Sequence, residues 1–203
     1  MPGWTVHSGR AVGLDRESVD TDQLIPARFM VTPRAHGYGR FLLNDLRYDH
    51  SGAPVPDFSI NRHPDASILV SRRNFGSGSS REAAVYALVD FGVRVVVAPS
   101  FGDIFASNAV NNGLLPARVA STDNLLSLLG EASLPAKADL AAETLTIGET
   151  TVPFSIDPTW REKLINGWDD IDLTRAHSAE IAAFRAERAN KTPWAFNNEQ
   201  TAK

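Results

Sequence analysis

Cysteine is absent from the sequence. The chain therefore forms no disulfide and offers no thiolate to zinc or to an iron–sulfur cluster. Long apolar runs are missing as well, and none approaches the roughly 20 residues needed to span a bilayer. No Lys- or Arg-rich block occurs, and 20 basic against 24 acidic side chains leave a net charge of −4. The electrostatic footprint of a nucleic-acid binder is thus lacking. The first residues do not join a basic stretch to an apolar core, so no signal peptide is expected and the cytoplasm is the expected location. His7, His36, His50, His63 and His177 show no metal-ligand spacing; each alone reads as structural or exposed rather than as a ligand. Asp20 and Asp22 could meet a cation, but no third ligand is near, and shaping a loop is their commoner role.

What is present is a chain of 203 residues, 43% hydrophobic, enough for one domain with its own core. The stretch Ser71–Pro116 organises it. Ile68, Leu69 and Val70 read as a short buried strand. Gly76 and Gly78 then allow a tight turn and close approach to a ligand. Ser79 or Ser80 is a natural cap for the helix that follows, in which Ala84, Val85, Leu88 and Phe91 share a face. Gly92 ends that helix. Val93 and Val95–Ala98 form the next buried strand, and a further helix at Phe101–Asn112 closes at Gly113. A strand, glycine turn, helix, strand order predicts a parallel pair with a right-handed crossover.

A helix start with free N–H donors suits an anion. Two hydroxyls and the Arg81 guanidinium lie on this turn, and arginine can grip a carboxylate bidentately. On spacing alone, capping remains the commoner role of such serines. A dinucleotide site is disfavoured, because Gly76-Ser77-Gly78 is followed by Arg81 where a third glycine belongs, and the second strand ends without an acid. A Gly-Lys-Ser/Thr phosphate loop does not occur either.

Longer motifs carry more. Asn74-Phe-Gly-Ser-Gly-Ser-Ser-Arg-Glu82, Ala98-Pro-Ser-Phe-Gly-Asp-Ile-Phe105 and Asn112-Gly-Leu-Leu-Pro116 together resemble the small subunit of 3-isopropylmalate dehydratase, the swivelling domain of the aconitase superfamily. Val19-Asp-Thr-Asp-Gln-Leu-Ile-Pro-Ala-Arg-Phe29 and Asn166-Gly-Trp-Asp-Asp-Ile-Asp-Leu-Thr174 agree, so the resemblance runs in order from about Gly13 to Phe184. It implies a swivelling β/β/α domain over residues 1–188 and an isomerisation of 2-isopropylmalate to 3-isopropylmalate by dehydration and rehydration in leucine biosynthesis. It implies activity only with a large subunit that carries a [4Fe–4S] cluster, no cofactor on this chain, and a dicarboxylate substrate. By the same resemblance Ser79 is the general base, Arg81 supports it and binds substrate, and Ser80 and Arg34 also contact substrate. Arg34 lies in Arg28–Arg40, a glycine- and arginine-containing loop with few apolar anchors, of the exposed kind that carries recognition. Ser77 stands where many members have cysteine, and Ala83 stands where histidine usually follows Arg-Glu. The second change leaves open a related dehydratase acting on another 2-hydroxy diacid, such as a methyl-substituted malate or citraconate. A non-catalytic partner that stabilises the large subunit is a further alternative.

The rest of the chain reads as an α/β domain with a mixed sheet and flanking helices. Trp4–Leu14 is strand or hairpin, and Thr21–Leu24 a turn of helix. Tyr48–Asp65 is irregular. Ala117–Ala120, Ala138–Ala141, Thr144–Ile147 and Thr151–Ile156 are strands, the last two joined by a Gly148-Glu149 turn. Helices are expected from Thr122 to Leu129 and from Asp157-Pro158 to Ile165. Ser178–Arg188 is an amphipathic helix with Ile181, Ala182 and Phe184 inward. Residues 189–203 form a loosely ordered tail, in which Trp194 and Phe196 are unusual.

Overall fold

Alternation explains the core. In the strand Val95–Ala98, Val95 and Val97 enter one apolar cluster, while Val96 and Ala98 enter another. A continuous apolar run of this kind belongs to a strand covered on both faces. The computed structural model describes residues 2–196 and divides into two compact units, Met1–Gly167 and Trp168–Lys203.

The first unit begins with strand β1 (Val6–Leu14), followed by three short helices, α1 (Thr21–Leu24), α2 (Asn44–Arg47) and α3 (Ser59–Arg62). Next come β2 (Ile68–Ser71), α4 (Glu82–Phe91), β3 (Val95–Ala98), α5 (Asp103–Asn111) and β4 (Leu115–Arg118). Helix α6 (Asp123–Leu129) leads to β5 (Leu134–Asp139), β6 (Thr144–Ile147), β7 (Thr150–Pro153) and α7 (Pro158–Asn166). The seven strands form one mixed sheet in the order β4-β3-β2-β1-β5-β6-β7. Strands β1 to β4 pair in parallel, and β1, β5, β6 and β7 pair antiparallel. One core cluster joins Leu69 and Val96 to Leu24, Leu88 and Phe105; the other joins Val70 and Val97 to Leu125, Leu129 and Leu164.

Local signals set the helix ends. Gly92 closes α4 at φ 111° and Gly167 closes α7 at φ 71°, both left-handed positions that cost glycine little. The Asp157 carboxylate caps α7 by accepting from Thr159 N and Trp160 N at 2.8 and 3.2 Å.

Several segments depart from the sequence reading, among them β7, which ends at Pro153 rather than Ile156. Strand β4 starts at Leu115 rather than Ala117 and includes Pro116. It lies at the sheet edge, where a missing N–H leaves no ladder bond unmade. Strand β5 starts at Leu134 rather than Ala138. Its Pro135 pairs with Arg10 of β1 but lies beyond the β6 register, which begins at Ala136. Tyr48–Asp65, read as irregular, contains α3, whose Ser59 hydroxyl donates to Gly13 O at 2.7 Å.

In the second unit, α8 (Asp170–Ala176) opens with a capping box in which Asp169 accepts from Ile171 N and Asp172 N. Helix α9 (Ser178–Lys191) extends past Arg188, and none of its residues is buried. The inward placement expected for Ile181, Ala182 and Phe184 is therefore wrong: all three are exposed, Phe184 at 66%. Periodicity identifies residues that share a face, not what covers the face. Trp194 lies in a 3-10 turn at Pro193–Ala195 and is 81% exposed. Residues 197–203 of the expected tail fall outside the described residues. No helix among the described residues is long and apolar enough to cross a membrane.

Candidate functional site

Between β2 and α4 the backbone is clamped from two sides. Gly76 N donates to Val19 O at 2.7 Å, and Thr21 N donates to Ser77 O at 2.9 Å. On the other side, Phe75 N donates to Ser100 O at 3.0 Å and Gly102 N to Phe75 O at 2.9 Å. The buried Thr21 adds a bond from Oγ1 to Ser79 O at 3.0 Å. Gly76 is required twice over: its φ is 71°, and a Cβ there would lie 2.1 Å from Cγ of the buried Phe105 ring. Close packing of Gly76 on α5 leaves a concavity of about 220 Å³ between Ser77, Ser79, Asp103 and Ile104. It lies at the carboxyl ends of β2 and β3, where open α/β sheets present ligand sites.

The expected serine caps are not made. Helix α4 begins at Glu82 with Arg81 as its N-cap, and no side chain caps it. Arginine has donors only. Neither Ser79 nor Ser80 occupies the N-cap position; both are exposed, and neither hydroxyl has a partner among the described residues. Ala84 N donates to Arg81 O at 3.1 Å, while the N–H groups of Glu82 and Ala83 have no acceptor among the described residues. An uncapped helix start thus stands beside two free hydroxyls. Such donors carry partial positive charge and suit an anion.

Arg81 Nη1 donates to Asp22 Oδ1, an ion pair between a mostly buried guanidinium and an exposed carboxylate. Asp20 caps α1 by accepting from Gln23 N at 2.7 Å. The pair Asp20 and Asp22 therefore builds the wall of the turn, and among the described residues no cluster of three or more His, Asp or Glu could hold a metal ion. Ala83 is partly buried and packs against the core. A separate cavity of about 400 Å³ between Phe101, Arg118 and Trp160 contains neither serine and not Arg81.

Arg34 is not brought to this turn. Its Nη1 and Nη2 donate to Asp90 Oδ2 and Oδ1 at 2.6 and 2.8 Å, and its guanidinium carbon lies 4.3 Å from the Tyr86 ring centroid. Asp90 lies in the last turn of α4, nine residues beyond Arg81, or roughly 13 Å along the axis at 1.5 Å per residue. The segment Arg28–Arg40 is also better anchored than its composition suggests. Tyr38 is buried, Phe29 stacks on Phe41 with centroids 4.3 Å apart, and Arg28 is paired with Asp45. Asp90 is the member of this neighbourhood that sequence reasoning missed, while Asp20 and Asp22 were read as shaping a loop without their partners Gln23 and Arg81. Only the Asp-Thr-Asp triplet carried any local signal.

Comparison with known proteins agrees over most of the length. The aconitase C-terminal domain family matches residues 1–122. The 3-isopropylmalate dehydratase small subunit of Geobacillus kaustophilus is 44% identical over 194 residues, covering 91% of this chain and 96% of that protein. That of Bacillus subtilis is 44% identical over 190 residues, covering 91% and 95%. That of Rhodospirillum centenum is 41% identical over 202 residues, covering 97% and 100%. Among solved structures, 3-isopropylmalate dehydratase from Methanocaldococcus jannaschii superposes with a TM-score of 0.63 at 24% identity, covering 88% of this chain and 98% of that one, which is a likeness of fold.

Proposed function

The chain belongs to the family of 3-isopropylmalate dehydratase small subunits, and from that premise we propose how its residues serve the reaction. It is the small subunit of a hydro-lyase of leucine biosynthesis, working with a large subunit in the cytoplasm on a branched 2-hydroxy dicarboxylate. The observation that carries the site assignment is the exposed Ser79 hydroxyl, without a partner among the described residues, beside the uncapped start of α4, with Arg81 next to it.

Ser79, as its alkoxide, removes a proton from the carbon next to a substrate carboxylate. The C–H electron pair becomes the carbon–carbon double bond, and hydroxide leaves the neighbouring carbon and takes a proton from solvent to become water. Readdition of water in the opposite sense gives the isomer. A free serine hydroxyl is far too weak a base for this, so its alkoxide must be stabilised where it forms. The free N–H groups of α4 and the Arg81 guanidinium supply that stabilisation. Arg81 and Arg34 hold substrate carboxylates, and Ser80 helps to position one. With no cysteine, this chain has no thiolate to offer a cluster; a [4Fe–4S] cluster bound in the large subunit would supply Lewis acidity toward the leaving hydroxyl.

The test is reconstitution with the large subunit and assay against a panel of substituted malates. Turnover of the isopropyl compound in preference to the methyl-substituted one, lost in Ser79→Ala, is the expected result. Preference for the methyl compound would reassign the substrate, and full activity of Ser79→Ala would reduce this chain to a stabilising partner.

A further inference from the structure

The far end of α4 carries a second constellation. Asp90 is a carboxylate in the last turn of a helix, where the macrodipole is unfavourable to negative charge, yet its side chain is only 17% exposed. It is tolerated because three N–H groups converge on it. Arg34 Nη1 and Tyr38 N reach Oδ2, both at 2.6 Å, and Arg34 Nη2 reaches Oδ1 at 2.8 Å. The segment bearing these donors is keyed to the same place by shape. Gly39 lies so close to the helix end that a Cβ would meet Phe91 N at 2.5 Å. Tyr38 is 7% exposed, tilts against Tyr86 with centroids 6.3 Å apart, and donates its hydroxyl proton to Thr32 O at 2.9 Å.

We propose that Asp90 is a positioning residue for Arg34. It accepts along the Nη1–Nη2 edge, while the Tyr86 ring supports the guanidinium plane. A planar guanidinium held on that edge still offers Nε–H and an outer Nη–H to a second carboxylate. The structure therefore presents Arg34 preorganised, with one edge bound to the protein and the other free for substrate. Arg34 remains 45% exposed, as this role requires. The proposal rests on the reading that Arg34 meets a substrate carboxylate.

The experiment compares wild type, Asp90→Asn and Arg34→Gln in the reconstituted two-subunit enzyme, with hydrogen exchange of residues 34–41 measured in the same complexes. Asp90→Asn keeps the shape but removes the charge and one acceptor. It should raise KM about tenfold with kcat nearly unchanged, because a charge-assisted contact that orients a binding group is weakened. Exchange at residues 34–41 should quicken, and Asp90→Glu should restore part of the KM. A wild-type KM in Asp90→Asn beside a raised KM in Arg34→Gln overturns the positioning role while leaving Arg34 as a substrate contact. A wild-type KM in Arg34→Gln removes the premise and the proposal together. Loss of kcat alone in Asp90→Asn, with unchanged exchange, also overturns it.

Discussion

Replacing Ser79 by alanine separates chemistry from folding, because the structure assigns its side chain no structural bond. The hydroxyl is exposed, the N-cap position of α4 is Arg81 rather than a serine, and the contact from Thr21 Oγ1 goes to the Ser79 main-chain oxygen, which alanine keeps. An exposed substitution without such features stays within about 0.5 kcal/mol. For a chain of this size that moves the melting temperature by no more than about 2 °C. Loss of a positioned general base costs about 10²–10⁴ in rate, or roughly 2.7–5.4 kcal/mol of barrier at 1.36 kcal/mol per decade. The assay is kcat of the reconstituted enzyme, with complex formation verified by gel filtration and melting followed by circular dichroism. Ser77→Ala is the control. Ser77 binds Thr21 N through its main-chain oxygen, so both kcat and melting should stay near wild type. Retention of more than a tenth of wild-type kcat in Ser79→Ala, with loss in Ser77→Ala, would show that the turn is read in the wrong register.

Other outcomes follow from the same geometry. Arg81→Lys keeps charge but removes the planar fork, so both kcat and affinity should fall about tenfold or more in steady-state kinetics, each such contact being worth about 1.5–3 kcal/mol. Gly76→Ala must place a methyl against the Phe105 ring at φ 71°; it should lose about 2–5 kcal/mol by urea midpoint, from overpacking and left-handed strain together. His7 is pushed below the ordinary histidine range, first by burial and then by Arg94. The folded state thus prefers neutral His7, and its contribution is intact above the unfolded value of about 6.5 and lost as pH falls through the lower folded value. The melting-temperature advantage of wild type over His7→Gln should shrink between about pH 7.5 and 5.5; an advantage that grows on acidification refutes the assignment.

Much of the central sheet was legible because its signals are local and redundant. Valines at 95, 96 and 97 cannot all face one side of a strand, so the run itself announces cover on both faces. Gly92, Asp157-Pro158 and Gly167 each mark a boundary by a backbone or capping requirement that few other residues meet. The starts of β4 and β5 were lost for the converse reason. A proline reads as a breaker until one knows which side of the strand lacks a neighbour, and that is a property of sheet order rather than of Pro116 or Pro135. The exposed face of α9 fails in the same way, since a stripe of Ile181 and Phe184 asks for a cover without naming one.

The site divides along a similar line. Gly76, Ser79 and Arg81 lie within six residues, so their chemistry could be read as one motif. Their supports could not: Asp22 meets Arg81 across 59 positions and Asp90 meets Arg34 across 56. Acids and arginines are frequent on any surface, and most such pairs contribute little. These two differ through what they constrain. Asp22 holds the guanidinium beside Ser79, the proposed base, and Asp90 holds the one at the opposite end of α4, so a single ten-residue helix lies between the two acids. The Asp90 contact fixes which edge of the Arg34 guanidinium stays open, and the KM of Asp90→Asn reports how much of that orientation the wild-type protein has already organised.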